Sequence, residues 1–453
     1  MVANKKYFGT DGIRSRVNNS PLTVDFIIKL GWVLGSRLIG FQGGRVLVAR
    51  DTRVSGDMMQ SALVAGLMSS GVTVVDGGVQ PTPAVSYLTH TMGFDMGVMV
   101  SASHNSSEYN GFKFFGSNGY KFSDAQEIEV ETYLDKDTNI ANVDADTGSL
   151  SCQYDSIQRY VKYVQQCFPR LNLQGIRVVI DCANGSGYKI IPLIFSELGA
   201  DVVPIGVSPD GRNINEECGW SCPDMCCAAV RACGAHAGFV FDGDADRLLI
   251  VDEKGNHFDG DHILALILNA CLRTEELRGQ GVVATVASNM GLEKYVECKG
   301  LHLHRTQIGD RFVVEKMCET GCNLGGEQSG HIIVSDFSLI GDALIAALYV
   351  ISELIVANKP ASEVFSSFES YPQIKKNLSY ESFMSSPLRS LRMQKAIHEA
   401  ESILGHKGRL LVRNSGTEPV VRLMVEGEDP CLIKSVMDTL VDEMETCLSQ
   451  TAA

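Results

Sequence analysis

The segment Asp242-Gly243-Asp244-Ala245-Asp246-Arg247 follows the apolar run Gly238-Phe239-Val240-Phe241 and carries carboxylates at alternate positions. On an extended backbone, residues i, i+2 and i+4 project to one side. That side presents hard oxygen ligands suited to Mg²⁺, and three carboxylates so close repel one another unless a cation offsets them. The blander reading is a solvated acidic loop. The spacing also fits the start of a calcium EF-hand loop, with Glu253 in the twelfth place. There, however, Arg247 stands where such a loop needs glycine, and the flanks read as strands rather than helices.

Four further segments break the hydrophobic pattern. Ser101-Ala102-Ser103-His104-Asn105 follows the apolar run Gly97-Val98-Met99-Val100, and strand ends are where open α/β sheets bind ligands. A serine beside a histidine suggests an activated hydroxyl, yet no G-x-S-x-G elbow surrounds it. Downstream, Asn110-Gly111-Phe112-Lys113 places a cation within reach of that loop. Gly9-Thr10-Asp11-Gly12-Ile13-Arg14 reads as a tight turn followed by a guanidinium. Gly325-Gly326-Glu327-Gln328-Ser329-Gly330-His331 brings backbone close to a ligand and offers Glu, Ser and His groups that pair with hydroxyls, which suits a sugar. Arg413-Asn414-Ser415-Gly416-Thr417-Glu418-Pro419, with Arg422 beyond, forms an anion cradle. Each could individually be an ordinary turn or hairpin. Together they supply a hydroxyl nucleophile, a divalent-metal site, a hydroxyl-reading loop and a phosphate cradle, and point to phosphoryl transfer on a sugar phosphate.

The elements that must position these groups alternate between strand and helix. Residues 23–38 have apolar side chains at helical spacing, 45–49 read as a buried strand, 55–70 as a helix, 72–75 as a strand, 83–92 as a helix and 97–100 as a strand. Related units recur at 177–205 and 281–305, where a strand runs into a small-residue turn that opens a helix. After Tyr371 a polar region leads to a helix near 395–404, strands at 409–413 and 420–425, and a helix over 430–448. The expectation is an α/β chain with three related mixed α/β domains and a C-terminal α+β domain around a central cleft. The serine loop lies in 1–154, the metal loop in 155–254, the sugar-recognition loop in 255–370 and the phosphate cradle in 371–453.

The 453 residues are 45% hydrophobic and 21% charged, an ordinary folded composition. The net charge of −15 argues against sequence-independent nucleic-acid binding, so positive charge for an anionic substrate must be gathered in a cleft. The longest apolar stretch, 343–357, is too short to span a bilayer and contains Glu353; no signal-peptide pattern opens the chain, so neither membrane nor nucleic-acid partners are expected and the cytoplasm is the default. The 14 cysteines read as reduced thiols. The group Cys218, Cys222, Cys226, Cys227 and Cys233 lacks a C-x-x-C knuckle, which counts against zinc, although Cys222 and Cys226 would share a helix face.

The five motifs GTDGIR, SASHN, DGDADR, GEQSGH and SGTEP, in this order along essentially the whole chain, resemble those of the α-D-phosphohexomutases. GEQSGH, where phosphomannomutase/phosphoglucomutase enzymes typically carry GEMSGH, and the ending NSGTEPVVRLMVEGED are similar to the branch that acts on glucosamine phosphates. The resemblance implies a four-domain, heart-shaped molecule with Mg²⁺ held by Asp242, Asp244, Asp246 and a phosphorylated Ser103. It implies that Glu327 and Ser329 grip sugar hydroxyls and that Arg413, Ser415, Gly416 and Thr417 hold the non-reacting phosphate. Arg14, His104, Lys113, Arg247 and His331 would line the reacting centre, with Lys113 and His331 as candidates for general base and acid. The implied reaction converts glucosamine 6-phosphate to glucosamine 1-phosphate through a 1,6-bisphosphate, which would also act as activator; a homodimer is compatible with it.

Two positions depart from the usual GTDGIRG and SASHNP: Ser15 replaces glycine and Ser106 replaces proline. Proline would fix φ, so its absence is expected to loosen the serine loop. Rival readings are a glucose- or mannose-phosphate mutase, a DxD phosphohydrolase of haloacid-dehalogenase type with Asp242 as nucleophile, and a non-catalytic phosphosugar binder.

Overall fold

A computed structural model describes residues 5–40, 43–136, 146–153, 155–380, 386–414 and 420–451. Four sheets succeed one another along the chain. The first has six strands, in the order Ile13–Arg16, Tyr109–Gly116, Met96–Val100, Arg45–Arg50, Thr73–Val79, Leu150–Cys152. Its last four are parallel, and the first two join antiparallel. The parallel strands are nearly continuous apolar runs because helices cover both faces. Val46, Leu47, Val48 and Ala49 are all fully buried.

The second sheet repeats this plan with Ala237–Phe241, Arg177–Asp181 and Asp201–Ile205 parallel, and Leu248–Asp252 and His257–Phe258 antiparallel beside them. The third sets His302–Thr306, Gly281–Thr285 and Leu324–Gly326 parallel, with Ile332–Val334 antiparallel at the edge. The fourth is an antiparallel sheet of Gln373–Ser379, Val420–Gly427 and Gly408–Asn414, packed under helices Leu391–Leu404 and Pro430–Thr451. Three mixed α/β units and a C-terminal α+β unit are therefore present.

The apolar cores show which units are packed together. The second and third sheets share one continuous apolar core, joined by helices Gly260–Arg273 and Ala343–Ala357. The apolar run noticed in the sequence is the buried helix Ala343–Ala357, capped by the Asp342 carboxylate accepting from the Leu344 and Ile345 amides. No helix among the described residues is long and apolar enough to cross a membrane. The C-terminal sheet has its own core of Met393, Leu423, Val425, Met437, Leu440 and neighbours.

Three local expectations are corrected. The helix beginning at Val24 changes to a π-helix over Leu34–Ile39. The polar stretch after Tyr371 contains the edge strand Gln373–Ser379, whose exposed lysines Lys375 and Lys376 are a usual edge device and hide the strand pattern. Cys222 precedes helix Asp224–Cys233, so it shares no helix face with Cys226, which is buried in the core of the second sheet. All 14 cysteines are free, and burial pushes the Cys226 thiol upward, away from the thiolate a metal would need.

Candidate active site

Strands Met96–Val100 and Ala237–Phe241 end facing one cleft, and the loops that follow them touch. Ser103 has φ +53°, a left-handed conformation for which a non-glycine residue needs support from its surroundings. Its carbonyl lies so close to the acidic loop that a Cβ on Gly243 would come within 2.6 Å of it, which is why a glycine stands between Asp242 and Asp244. The Ser103 hydroxyl donates to Asp242 Oδ2 at 2.6 Å. Asp242, Asp244 and Asp246 are buried, and they offer ligand atoms within 4.8 Å of one another. Asp242 Oδ1 accepts from the Asp246 and Arg247 amides, and Thr82 Oγ1 donates to Asp244 Oδ2 at 2.5 Å.

This geometry excludes the EF-hand alternative, since strands flank the loop and Glu253 is turned away to accept from Ser362. Burial, then the Asp246 and Asp244 charges, push the Asp242 carboxyl well above the usual carboxylate range. The Lys113 ammonium lies 2.7 Å from both Asp244 and Asp246 and 3.2 Å from Asp11. Burial opposes its charge, but these three carboxylates outweigh that and hold it protonated. Burial likewise opposes ionisation of Asp246, yet Lys113 and further cations keep it anionic. The Oδ1 atoms of Asp244 and Asp246 are buried without a hydrogen-bond partner. Buried carboxylates with unpartnered oxygens and ligand atoms within 4.8 Å of one another fit a hard divalent cation such as Mg²⁺.

The other reacting-centre candidates surround this point. Arg14 donates to Asn105 Oδ1 at 3.0 Å and lies 3.4 Å from Asp11. Gly12, at φ +83°, puts that turn so near strand Tyr109–Gly116 that a Cβ would sit 2.0 Å from the Phe112 carbonyl, and so brings Asp11 to Lys113. Arg247 packs on the Trp220 ring and donates to His104 Nδ1 at 3.1 Å. Burial and then Arg247 bring the His104 ring down to about 3, so it is a neutral acceptor at physiological pH. His331, buried, has Nε2 3.3 Å from Asp310 and 3.9 Å from Asp246.

Sequence reasoning missed several supporting residues. The fully buried Arg53 is paired with Asp51 at 2.9 Å and donates to the backbone carbonyls of Ser103, Asn105, Ser106 and Tyr109. Asn215 donates to the Ser103 and Asn105 carbonyls, both at 2.9 Å. The Ser101 hydroxyl ties Asp51 to the Ser103 amide. Side-chain clamps thus hold the serine loop where proline is missing at Ser106. Ser15 lies in strand Ile13–Arg16 opposite Asn110, outside the left-handed region, so glycine is not required there. Lys121 contacts Asp11 and Asp310, linking the first sheet's turn to the third unit. The Asp-Thr-Arg run after strand Arg45–Arg50 was the available signal for Arg53; nothing local marks Asn215, Lys121 or Asp310.

The remaining two motifs lie in the third and C-terminal units. Glu327 accepts from the Gly309 amide at 2.9 Å and from the Ser329 hydroxyl at 3.2 Å. Arg413 stands opposite Arg422 across the antiparallel pair, and the Glu327 charge partly offsets the two guanidiniums. Burial and then Arg422 lower the Arg413 pKa, and Arg422 Nε is buried without a partner, so these guanidiniums are arranged to receive an anion. Ser415, Gly416 and Thr417 lie outside the described residues.

Four domain descriptions match in succession: phosphoglucomutase/phosphomannomutase alpha/beta/alpha domain I over residues 5–141, domain II over 158–255, domain III over 259–371 and the C-terminal domain over 377–443. The chain belongs to the phosphoglucomutase/phosphomannomutase family. It is 47% identical over 445 residues to a phosphoglucosamine mutase of Chelativorans sp., covering 97% of this chain and 98% of that one. It is 46% identical over 449 residues to a phosphoglucosamine mutase of Caulobacter vibrioides, covering 98% and 100%. Among solved structures, a phosphoglucomutase/phosphomannomutase family protein of Burkholderia thailandensis superposes with TM-score 0.81 at 25% identity, over 99% of this chain and 98% of that one. An Aspergillus fumigatus N-acetylphosphoglucosamine mutase, solved with GlcNAc-6P and magnesium, superposes with TM-score 0.66 at 16% identity over 98% and 96%, a likeness of fold.

In this phosphohexomutase the Arg53–Asp51 pair is the main tie of the serine loop. Arg53→Met removes the charge partner of the buried Asp51 and the guanidinium that donates to four carbonyls, and is expected to destabilise the first unit by about 3–5 kcal/mol. Chemical denaturation, followed by a probe in residues 5–136, measures it; an unchanged midpoint would show that the clamp is not needed.

Proposed function

We propose that the chain is a phosphoglucosamine mutase that interconverts glucosamine 6-phosphate and glucosamine 1-phosphate through a phosphoserine and a 1,6-bisphosphate, serving UDP-N-acetylglucosamine and cell-wall precursor synthesis. The observation that carries this reading is the Ser103 hydroxyl 2.6 Å from Asp242 within the carboxylate triad, in a chain similar over its whole length to phosphoglucosamine mutases. Asp242 already accepts from Ser103 and two amides, which argues against its use as a hydrolase nucleophile.

The free sugar hydroxyl attacks the phosphorus of phospho-Ser103. The new P–O bond forms as the Ser103 Oγ–P bond breaks, and the hydroxyl proton passes to the base. Lys113, held protonated by its three carboxylates, serves as the acid, and His331 as the base that takes the hydroxyl proton. Asp242, Asp244, Asp246 and the phosphate on Ser103 would hold Mg²⁺, which supplies charge neutralisation during transfer. Arg14, His104 and Arg247 orient the transferring group and exclude water. Glu327 and Ser329 bind the sugar hydroxyls; Arg413, Ser415, Gly416 and Thr417 hold the non-reacting phosphate. The bisphosphate then turns over and returns its other phosphoryl to Ser103, and hexosamine or glucose 1,6-bisphosphate primes an unphosphorylated enzyme. The functional units are 1–154, 155–254, 255–370 and 371–453. Free thiols throughout support a reducing, cytoplasmic setting.

Ser103→Ala is expected to lower kcat by at least about a thousandfold with the fold intact, because the covalent carrier is gone. Turnover assays after bisphosphate removal, with circular dichroism, measure this, and wild-type rates would refute the phosphoserine.

Chelation by EDTA should stop turnover and Mg²⁺ restore it. Asp244→Asn replaces a direct anionic ligand, so its loss of metal affinity by titration calorimetry should exceed the about 10–100-fold cost of losing an outer partner. Full activity in chelator with no metal by elemental analysis would contradict the site.

Arg413→Ala removes a charge-assisted phosphate contact worth about 1.5–3 kcal/mol, raising KM about 10- to 150-fold for glucosamine and glucose phosphates alike. Glu327→Gln should instead change the preference between the two sugars. Steady-state kinetics of both variants on both substrates decides; the opposite pattern would reverse the two loops' roles.

A further inference from the structure

Gln328 stands in the middle of the loop that carries Glu327 and Ser329, yet its side chain turns away from the cleft. The backbone of the residue is fixed within the third unit, where its carbonyl accepts from the Gly260 amide at 3.0 Å. The side-chain amide reaches the C-terminal sheet. Lys375 Nζ, on edge strand Gln373–Ser379, donates to Gln328 Oε1 at 2.7 Å. Gln328 Nε2 faces Asp261 Oδ2 at 3.3 Å and Gln373 Oε1 at 3.4 Å.

Both ends of this link are anchored. Asp261 is fully buried, and its Oδ2 also accepts from the Asn289 amide at 2.8 Å. Asn289 in turn grips both the amide and the carbonyl of Tyr371, at the entry to the C-terminal unit. Gln373 donates to the fully buried Glu426, which pairs with Arg409, and Arg409 donates back to the Ser288 carbonyl at 2.7 Å. Strand Gln373–Ser379 pairs with Val420–Gly427, which pairs in turn with the strand bearing Arg413. Among the described residues, the hydrogen-bonded side-chain bridges from loop 327–331 to this sheet are those of Gln328.

The chemistry of the position is selective. A carboxylate on one side requires a donor, and an ammonium on the other requires an acceptor. Only a side-chain amide offers both from one planar group at this length. Methionine offers neither, and glutamate would meet the Asp261 carboxylate with a second acceptor.

We propose that Gln328 is a positioning residue that couples the sugar-reading loop to the phosphate-holding sheet, so that seating of the C-terminal sheet and orientation of Glu327 and Ser329 occur together. This rests on the reading of 327–331 and Arg413 given above. The two domains have separate apolar cores, so their relative placement depends on polar bridges of this kind, and a bridge at the binding loop transmits it to the sugar.

The test uses the full-length protein as Gln328→Met, Lys375→Met and the double variant. Lys375 is exposed, so its replacement leaves the core untouched. Because one partner is exposed, the expected rise in KM for glucosamine 1-phosphate is about three- to tenfold in either single variant, with kcat within about twofold and the double variant no worse than Gln328→Met alone. Hydrogen–deuterium exchange without substrate should be faster in the peptide covering 327–331 in both single variants. Unchanged KM and exchange, or effects that simply add in the double variant, would overturn the coupling. If the wild-type chain turns over no phosphosugar, the functional reading fails, and exchange alone still decides whether Gln328 joins the two units.

Discussion

Three carboxylates buried within ligand distance of one another cannot persist without positive charge, and much of the architecture supplies or directs it. In a low-dielectric cleft the repulsion among Asp242, Asp244 and Asp246 is strong. Lys113 offsets part of it, brought there by an antiparallel strand added to an otherwise parallel sheet. Lys113 is itself balanced by Asp11, and Asp11 by Lys121, whose other partner is Asp310 in the third unit. The charges therefore form a chain running from one unit to another. Breaking any link leaves a buried charge uncompensated, which is more costly than never having buried the pair. Buried oxygens on Asp244 and Asp246 remain without a hydrogen-bond partner.

The serine loop meets a second constraint. A loop that holds a serine at positive φ against a neighbouring unit's backbone must be held open against relaxation. Arg53 does this with a planar fork of donors spread over four carbonyls, a task for which an ammonium has the wrong geometry. Asn215 repeats the grip from the second unit, so the loop is shared by the units that supply the nucleophile and the carboxylates. Pairs of polar groups between units fix the cleft geometry to fractions of an ångström, whereas apolar contact would tolerate sliding.

The cores divide the molecule differently from the sheets. The second and third units share one apolar core, while the C-terminal sheet, with its own core, meets them through Asn289, Arg409, Lys294 and Gln328. Polar interfaces of this kind are the ones across which domains move. Opening of such an interface can release or turn a ligand bound across it.

Periodicity and strand-end chemistry determined much of this protein from the sequence alone. The parallel strands were legible because both faces are buried and their residues are uniformly apolar. Asp242, Asp244, Asp246, Ser103, Glu327 and Arg413 were legible because reactive groups at strand ends interrupt such runs. The sequence could not reveal the edge strand Gln373–Ser379, whose lysines face water, or the change to a π-helix at Leu34. Nor could it reveal Asn215, Lys121 and Asp310 as site residues, since each has a partner more than 100 positions away. Tertiary structure also decided which way Gln328 points: its spacing placed it between Glu327 and Ser329, and only the approach of Lys375 and Asp261 turned it toward the neighbouring unit. Local pattern determines which groups reach the cleft, while the charges and unpaired polar groups that meet there from distant segments determine how each is held.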